Sequence, residues 1–74
     1  MINGIGKTIF KDTSYYYGYY QDGKRHGDGL FFYKNRDRYS GKWSNGMKHG
    51  EGTYIIDSSN MKLKGIWVEG KFMQ

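Results

Sequence analysis

The side chains in this 74-residue chain that could ligate a metal or move a proton are two histidines and seven acidic residues. His26 and His49 fall in matching turns of successive hairpins, on the order of 10 Å apart, too far for one ion to bridge. Asp22, Asp28 and Glu51 are scattered beside turns, and a thin sheet offers them no water-excluding pocket that would shift a pKa. The sequence therefore predicts no metal site and no cofactor.

Nucleophile and nucleotide chemistry are equally unsupported by the spacing of residues. Gly6-Lys7-Thr8 is similar to the end of a phosphate-binding loop, but that motif needs a glycine where Met1 stands and a helix afterwards. Cysteine is absent. No base stands beside Ser40, Ser44, Ser58 or Ser59 to activate its hydroxyl. We expect a protein that is not an enzyme, with no catalytic residue.

The charge balance favours an acidic partner. Twelve Lys and Arg against seven Asp and Glu give a net charge of +5, which suits acidic proteins, anionic lipid or nucleic acid. Lys24, Arg25 and Lys48 occupy turns, so stacked repeats would align them along one edge as contacts for lipid headgroups. The alternative is that they are solvated turn residues. Nucleic acid is an unlikely partner, because the aromatic residues follow the glycines and not an RNA-binding signature.

The bulk composition limits the chain to one small domain, since only 36% of its residues are hydrophobic. It has neither a signal peptide's apolar run nor the roughly 20 apolar residues of a membrane span. Ile2 stands where myristoylation would need glycine. We expect a cytoplasmic protein whose contact with membrane or cytoskeleton, if it has one, is peripheral.

Twelve glycines and no proline accompany 19% aromatic residues, and the glycines recur at a fixed period. Six positions repeat at an offset of 23 residues, with Tyr16, Gly18, Tyr20, Gly23, Gly27 and Gly29 matching Tyr39, Gly41, Trp43, Gly46, Gly50 and Gly52. A further set lies 24 beyond the second unit, namely Leu63, Gly65, Trp67 and Gly70. The chain is thus predicted to hold two full repeats, 16–38 and 39–62, between half repeats at 1–15 and 63–74.

Each unit is predicted to form a β-hairpin. The segments 16–21 and 30–33 are β-prone, and the glycine-rich segment 22–27 between them is typical of a turn. Polar residues at 34–37 and 57–60 mark the joins between units. The sequence therefore predicts about six short strands in an antiparallel meander, with no helix.

The Y-x-G-x-[YW]-x-x-G-x-x-x-G-x-G pattern resembles the MORN (membrane occupation and recognition nexus) repeat over nearly the whole chain. The resemblance implies an all-β fold of stacked hairpins in a single-layer sheet and a scaffold or adaptor role in protein interaction or oligomerisation. Junctophilins and plant phosphatidylinositol-phosphate kinases carry similar repeats. The alternative function is thus a phosphoinositide- or anionic-lipid-binding module, similar to the repeat region of a phosphatidylinositol-4-phosphate 5-kinase. Leu63 departs from the pattern, which has tyrosine there.

The two faces of the predicted sheet have different roles. Aromatic side chains on one face should lie over the bare glycine backbone of a neighbouring strand and stabilise the repeat. The other face carries an apolar, tyrosine-rich stripe that could bind a partner, formed by Tyr15, Tyr17, Tyr19, Leu30, Phe32, Ile55 and Ile66. The alternative is that curvature, self-association or a flanking element buries this stripe.

The half repeats at the two ends are complementary in sequence, which predicts unpaired edge strands. Either the chain is a fragment of a longer array, or copies associate through those edges.

Overall fold

The computed structural model describes residues 3–74 and is all-β. One antiparallel sheet contains the strands in chain order, which are β1 (Gly4–Ile9), β2 (Tyr15–Gln21), β3 (Lys24–Phe32), β4 (Arg38–Ser44), β5 (Met47–Ile56), β6 (Met61–Val68) and β7 (Lys71–Phe72). The predicted single-layer meander is confirmed, with the two-residue β7 as a seventh strand. The interpretations that depend on Met1 and Ile2 fall outside the described residues.

A row of glycines crosses the sheet from β1 to β6. Direct partners in adjacent strands form the row Gly6, Gly18, Gly29, Gly41, Gly52 and Gly65. On what we call the inner face, the ring of Tyr16 covers Gly29 and the ring of Tyr39 covers Gly52. Both rings are fully buried although the sheet has no second layer. The predicted packing of rings on glycine is therefore what makes a core here.

The same packing unit occurs twice. Trp43 meets the Tyr16 ring edge-on, with centroids 5.3 Å apart, and its Nε1–H donates to the Gly29 carbonyl at 3.3 Å. One repeat later, Trp67 meets Tyr39 at 5.3 Å and donates to the Gly52 carbonyl at 3.1 Å. Trp43 also contacts Tyr39 edge-on at 5.2 Å. Successive hairpins are thus joined by one continuous aromatic row.

The hairpin turns are shorter than the sequence suggested. Gln21 pairs directly with Lys24, which leaves only Asp22 and Gly23 in the turn, and both have positive φ as a type I′ turn requires. The prediction of a turn over 22–27 was wrong, because 24–27 belong to β3. Main-chain pairing with β2 and a bond from Gly46 N to the Arg25 carbonyl, 3.0 Å long, hold this segment extended.

In the third hairpin turn, the residue type suits the backbone conformation least well. Asn45-Gly46 and Glu69-Gly70 occupy the turn positions of the later hairpins, and Glu69 has φ +48°. Left-handed backbone suits asparagine better than glutamate. We expect Glu69→Asn to raise the free energy of unfolding by about 0.5–1 kcal/mol, a gain of a few degrees in thermal melting. The reverse change in the matched turn, Asn45→Glu, should lower the free energy of unfolding by a similar amount. If both variants melt at the same temperature as the unaltered chain, the backbone at Glu69 is not strained.

At the opposite edge, the connections 10–14 and 33–37 have matching conformations and hydrogen bonds. The third connection contains the extra residue implied by the offset of 24. Four residues separate the paired Ile56 and Met61, whereas three separate Tyr33 from Asp37, to which it is hydrogen-bonded. Asp37 joins the loops at this edge. Its buried carboxylate accepts hydrogen bonds from Asp57 N at 3.0 Å and Tyr54 OH at 2.8 Å, which lower its pKa.

Candidate interaction surfaces

The inner face carries two cations held over aromatic rings. The Arg25 guanidinium lies 5.0 Å from the Trp43 ring centroid and 5.4 Å from that of Phe31. Its Nε and Nη2 both donate to the Gly46 carbonyl, at 3.2 and 2.6 Å. Because Gly46 belongs to the next hairpin, this side chain connects adjacent repeats.

Lys48 occupies the equivalent position one repeat later. Its Nζ lies 5.3–5.8 Å from four ring centroids, those of Tyr33, Tyr39, Tyr54 and Trp67. It also donates to the Tyr33 hydroxyl at 3.1 Å. Cation–π attraction and one hydrogen bond thus fix this ammonium group among the rings.

These contacts separate the three basic residues singled out in the sequence. Lys24 is exposed beside the first turn, whereas Arg25 and Lys48 are half-buried among the inner rings. The structure therefore does not align the three along one edge. The inward placement was not predicted, because Arg25 was assigned to a turn. In the strand, Arg25 pairs with Tyr20, whose ring packs on Tyr16 at the inner face.

The outer face has an apolar patch on its first three strands. Tyr17, Tyr19 and Leu30 expose 49%, 47% and 38% of their surface. Tyr15 and Phe32 beside them are half-buried and stack with centroids 4.6 Å apart. Strand β1 extends this surface, since Ile5 pairs with Tyr19 and Ile9 with Tyr15. The outer patch consists of these residues, namely Ile5, Ile9, Tyr15, Tyr17, Tyr19, Leu30 and Phe32.

Two members of the predicted stripe lie away from the outer patch. Arg38 stands between Phe32 and Ile55 across the sheet, and Ile66 on β6 pairs with Glu51. From β4 onward, this face is mostly polar. The structure thus brings five of the seven predicted residues together. Ile5 and Ile9 were not part of the predicted stripe, and their pairing with Tyr19 and Tyr15 adds them to it.

A depression of about 360 Å³ lies within the outer patch. Ile5, Tyr17, Tyr19 and Leu30 line it together with backbone of the glycine row, and the Asp28 carboxylate lies at its side. Asp28 is itself paired with Lys42 at 2.8 Å. The depression can therefore receive an apolar side chain next to a charged pair.

The family model of the MORN repeat matches residues 16–38 and 39–61, which is more than half of the chain. The chain belongs to the MORN repeat family. These repeats are a non-catalytic module known from protein and membrane interaction. No curated protein matches the chain.

Burial of the MORN tyrosines changes their acidity. Desolvation raises the pKa of Tyr16 to about 12, and that of Tyr39 likewise to about 12. Burial and the hydrogen bond to Asp37 raise the pKa of Tyr54 as well. In each case, the fold favours the neutral phenol over the phenolate.

These shifts predict alkaline unfolding. A pKa raised in the folded state gives stability that is complete below the ordinary value of 10 and is lost as pH rises from 10 towards 12. We expect ionisation of Tyr16, Tyr39 and Tyr54, followed by absorbance at 295 nm, to coincide with loss of the β circular dichroism signal. Tyr39→Phe should weaken the pH dependence above 10. Ionisation of all tyrosines with the signal intact would contradict this prediction.

No cluster of three or more metal-binding side chains occurs among residues 3–74. His49 instead accepts a hydrogen bond from Glu69 N at 3.4 Å through Nδ1. Within the same range, the MORN sheet includes no helix long and apolar enough to cross a membrane.

Proposed function

We propose that this MORN module is a non-catalytic scaffold that docks a protein partner on its outer patch. The observation that carries the proposal is the exposed apolar cluster with its central depression on β1–β3. A sheet one layer thick has no second layer to cover the outer face, and exposed apolar patches of this kind mark interaction sites. Tyrosines bind well because two rotatable bonds present a large surface with one polar end.

The charge at the depression favours protein over membrane. Asp28 borders the depression and would oppose both an anionic headgroup and insertion into lipid, whereas a protein partner can pair with the Asp28–Lys42 couple. The contiguous apolar patch is also limited to the strands β1–β3, and the few apolar residues beyond it stand beside charged neighbours such as Arg38 and Glu51. A limited patch with an off-centre charge pair suits a specific protein surface.

Oligomeric state and site-specific crosslinking test the proposal. Light scattering over a concentration series first shows whether a second copy covers the patch. A photo-crosslinking residue at Tyr17 should then capture a partner or a second chain, and Leu30→Ser should remove that capture. The matched control places the same crosslinker at Lys64, an exposed outer-face residue on β6, where no capture is expected. Equal capture from both positions, or none from either, would refute docking at this patch.

Peripheral contact with anionic lipid is the alternative outcome of the same study. Lys24 is exposed and can meet a headgroup, whereas Arg25 and Lys48 lie half-buried among rings, where a flat bilayer does not reach them. Sedimentation with phosphoinositide vesicles should leave the protein in the supernatant, as should neutral vesicles. Selective retention by phosphoinositide that is lost in Lys24→Ser would replace protein docking with a lipid-binding function.

A further inference from the structure

A second surface, on the inner face, has a composition unlike the outer patch. A groove of about 530 Å³ is lined there by Phe10, Phe31, Tyr33 and Trp43 together with Arg25 and Lys48. Ring centroids of Phe10 and Phe31 lie 5.6 Å apart, and those of Phe31 and Tyr33 lie 4.5 Å apart. The groove therefore combines aromatic walls with two cationic groups. We call it the inner groove.

The two cations lack a counter-charge within the described residues. The ion pairs there are Arg38–Asp57 and Lys42–Asp28, and neither involves Arg25 or Lys48. Arg25 directs two of its N–H groups to Gly46 O, and guanidinium carries five in all. Half-buried cations with donors to spare favour an anion that can enter beside the rings.

The net charge of the side chains that line the inner groove is positive. Lys11 and Asp12 also line it. The Asp12 carboxylate is engaged by its own loop, accepting from Ser14 N at 3.0 Å and from Ser14 Oγ at 2.6 Å. Three cationic side chains, Lys11, Arg25 and Lys48, thus line the groove with one carboxylate, which is already hydrogen-bonded within its own loop.

We propose that the inner groove binds an acidic peptide of a partner protein, with carboxylates at Arg25 and Lys48 and apolar side chains on the rings. The two cations lie on equivalent strands two spacings apart, roughly 10 Å. Three residues of polyproline II backbone span about 9 Å and return a side chain to the same side. A peptide with glutamate at every third position, separated by proline and an aromatic residue, fits both features.

A peptide suits this groove better than a membrane surface. The cationic groups lie among rings and are half-buried, so a flat bilayer would meet ring edges first. A narrow chain can enter between them. The groove is on the face opposite the outer patch, and its ligand is therefore additional to the partner proposed there.

The test uses two synthetic probes and nuclear magnetic resonance. The acetylated peptide Glu-Pro-Phe-Glu-Pro-Phe-Glu and its analogue with every glutamate replaced by glutamine are titrated into the ¹⁵N-labelled chain. We expect the acidic peptide to shift the Gly46 amide and Trp43 indole signals while Ser40 on the outer face stays fixed. Binding of the glutamine analogue should be at least about tenfold weaker, because it lacks the charge-assisted hydrogen bonds.

Variants separate charge from fold. Lys48→Met keeps an apolar stem on the rings and should weaken binding of the acidic peptide about tenfold. Circular dichroism should show that the sheet is intact in this variant. Lys48→Arg retains the charge and should bind like the unaltered chain, as Arg25 already occupies the equivalent position. The outer-patch variant Leu30→Ser should also bind normally, so failure of either proposal is seen independently of the other.

Three results would overturn the inner-groove proposal. The first is no shift with either peptide at millimolar concentration, and the second is equal affinity for the acidic peptide and its glutamine analogue. The third is retention by phosphatidylserine vesicles that depends on Lys48 while the peptide fails to bind, which would assign the cations to lipid.

Discussion

Replacing Gly52 with alanine is expected to destabilise the sheet by about 3 kcal/mol or more, at the upper end for overpacking a core. A Cβ on Gly52 would lie 2.6 Å from Cε1 of Tyr39 and closer still to its hydroxyl. The ring cannot retreat, because Trp43 and Trp67 meet its two sides and its hydroxyl donates to the Lys42 carbonyl at 3.0 Å. Thermal unfolding by circular dichroism should show a fall of 12 °C or more.

Two comparisons isolate the clash between Gly52 and Tyr39. Thr53→Ala changes the next residue on the same strand and should cost less than about 1 kcal/mol. In a Tyr39→Ala background, the further change Gly52→Ala should cost almost nothing, since the obstructing ring is gone. Additive losses in the double variant would show that the ring does not cause the effect.

Trp43→Ala is expected to cost about 3–5 kcal/mol, which approaches the whole stability of a small domain. Trp43 contacts both fully buried tyrosines, supports the Arg25 guanidinium and donates to the Gly29 carbonyl. Its loss therefore removes the aromatic packing between the two full repeats and leaves the main-chain pairing of β3 with β4. We expect the variant to lack a cooperative thermal transition, with Trp67 fluorescence close to that of the chain in urea.

Two matched substitutions should lower the stability less than Trp43→Ala does. Trp43→Phe keeps an aromatic ring but loses the N–H donor, and should cost roughly 1–2 kcal/mol. Tyr19→Ala removes an aromatic side chain that is 47% exposed on the outer face and should have a smaller effect than either. If Trp43→Ala melts like Tyr19→Ala, the aromatic row is not the source of stability.

Much of the architecture could be predicted because the spacing of the repeat and the strand parity of its residues indicate the same fold. Gly18 and Gly41 lie 23 residues apart, and each sits between aromatic positions of the same strand parity. That pattern excludes helix and indicates that aromatic rings on one face must cover glycines of a neighbouring strand. The extra residue before Leu63 likewise located a longer join, which the structure places in the loop 57–60.

The interaction surfaces were only partly predictable. Parity alone grouped Ile55 and Ile66 with the outer tyrosines, but it cannot show that Arg38 and Glu51 separate them across neighbouring strands. That separation depends on register, which pairs residues distant in sequence.

The sequence by itself determined the period, the all-β meander and the packing of aromatic rings on glycine, because strand alternation and the size of a missing side chain are local properties. Only the tertiary structure decided that Lys24-Arg25-His26-Gly27 is strand and that Arg25 and Lys48 lie among the inner rings. The reason is physical. Charged, glycine-rich segments have a weak strand preference, and the hydrogen bonds that extend this one come from Gln21 across the turn and Gly46 in the next hairpin.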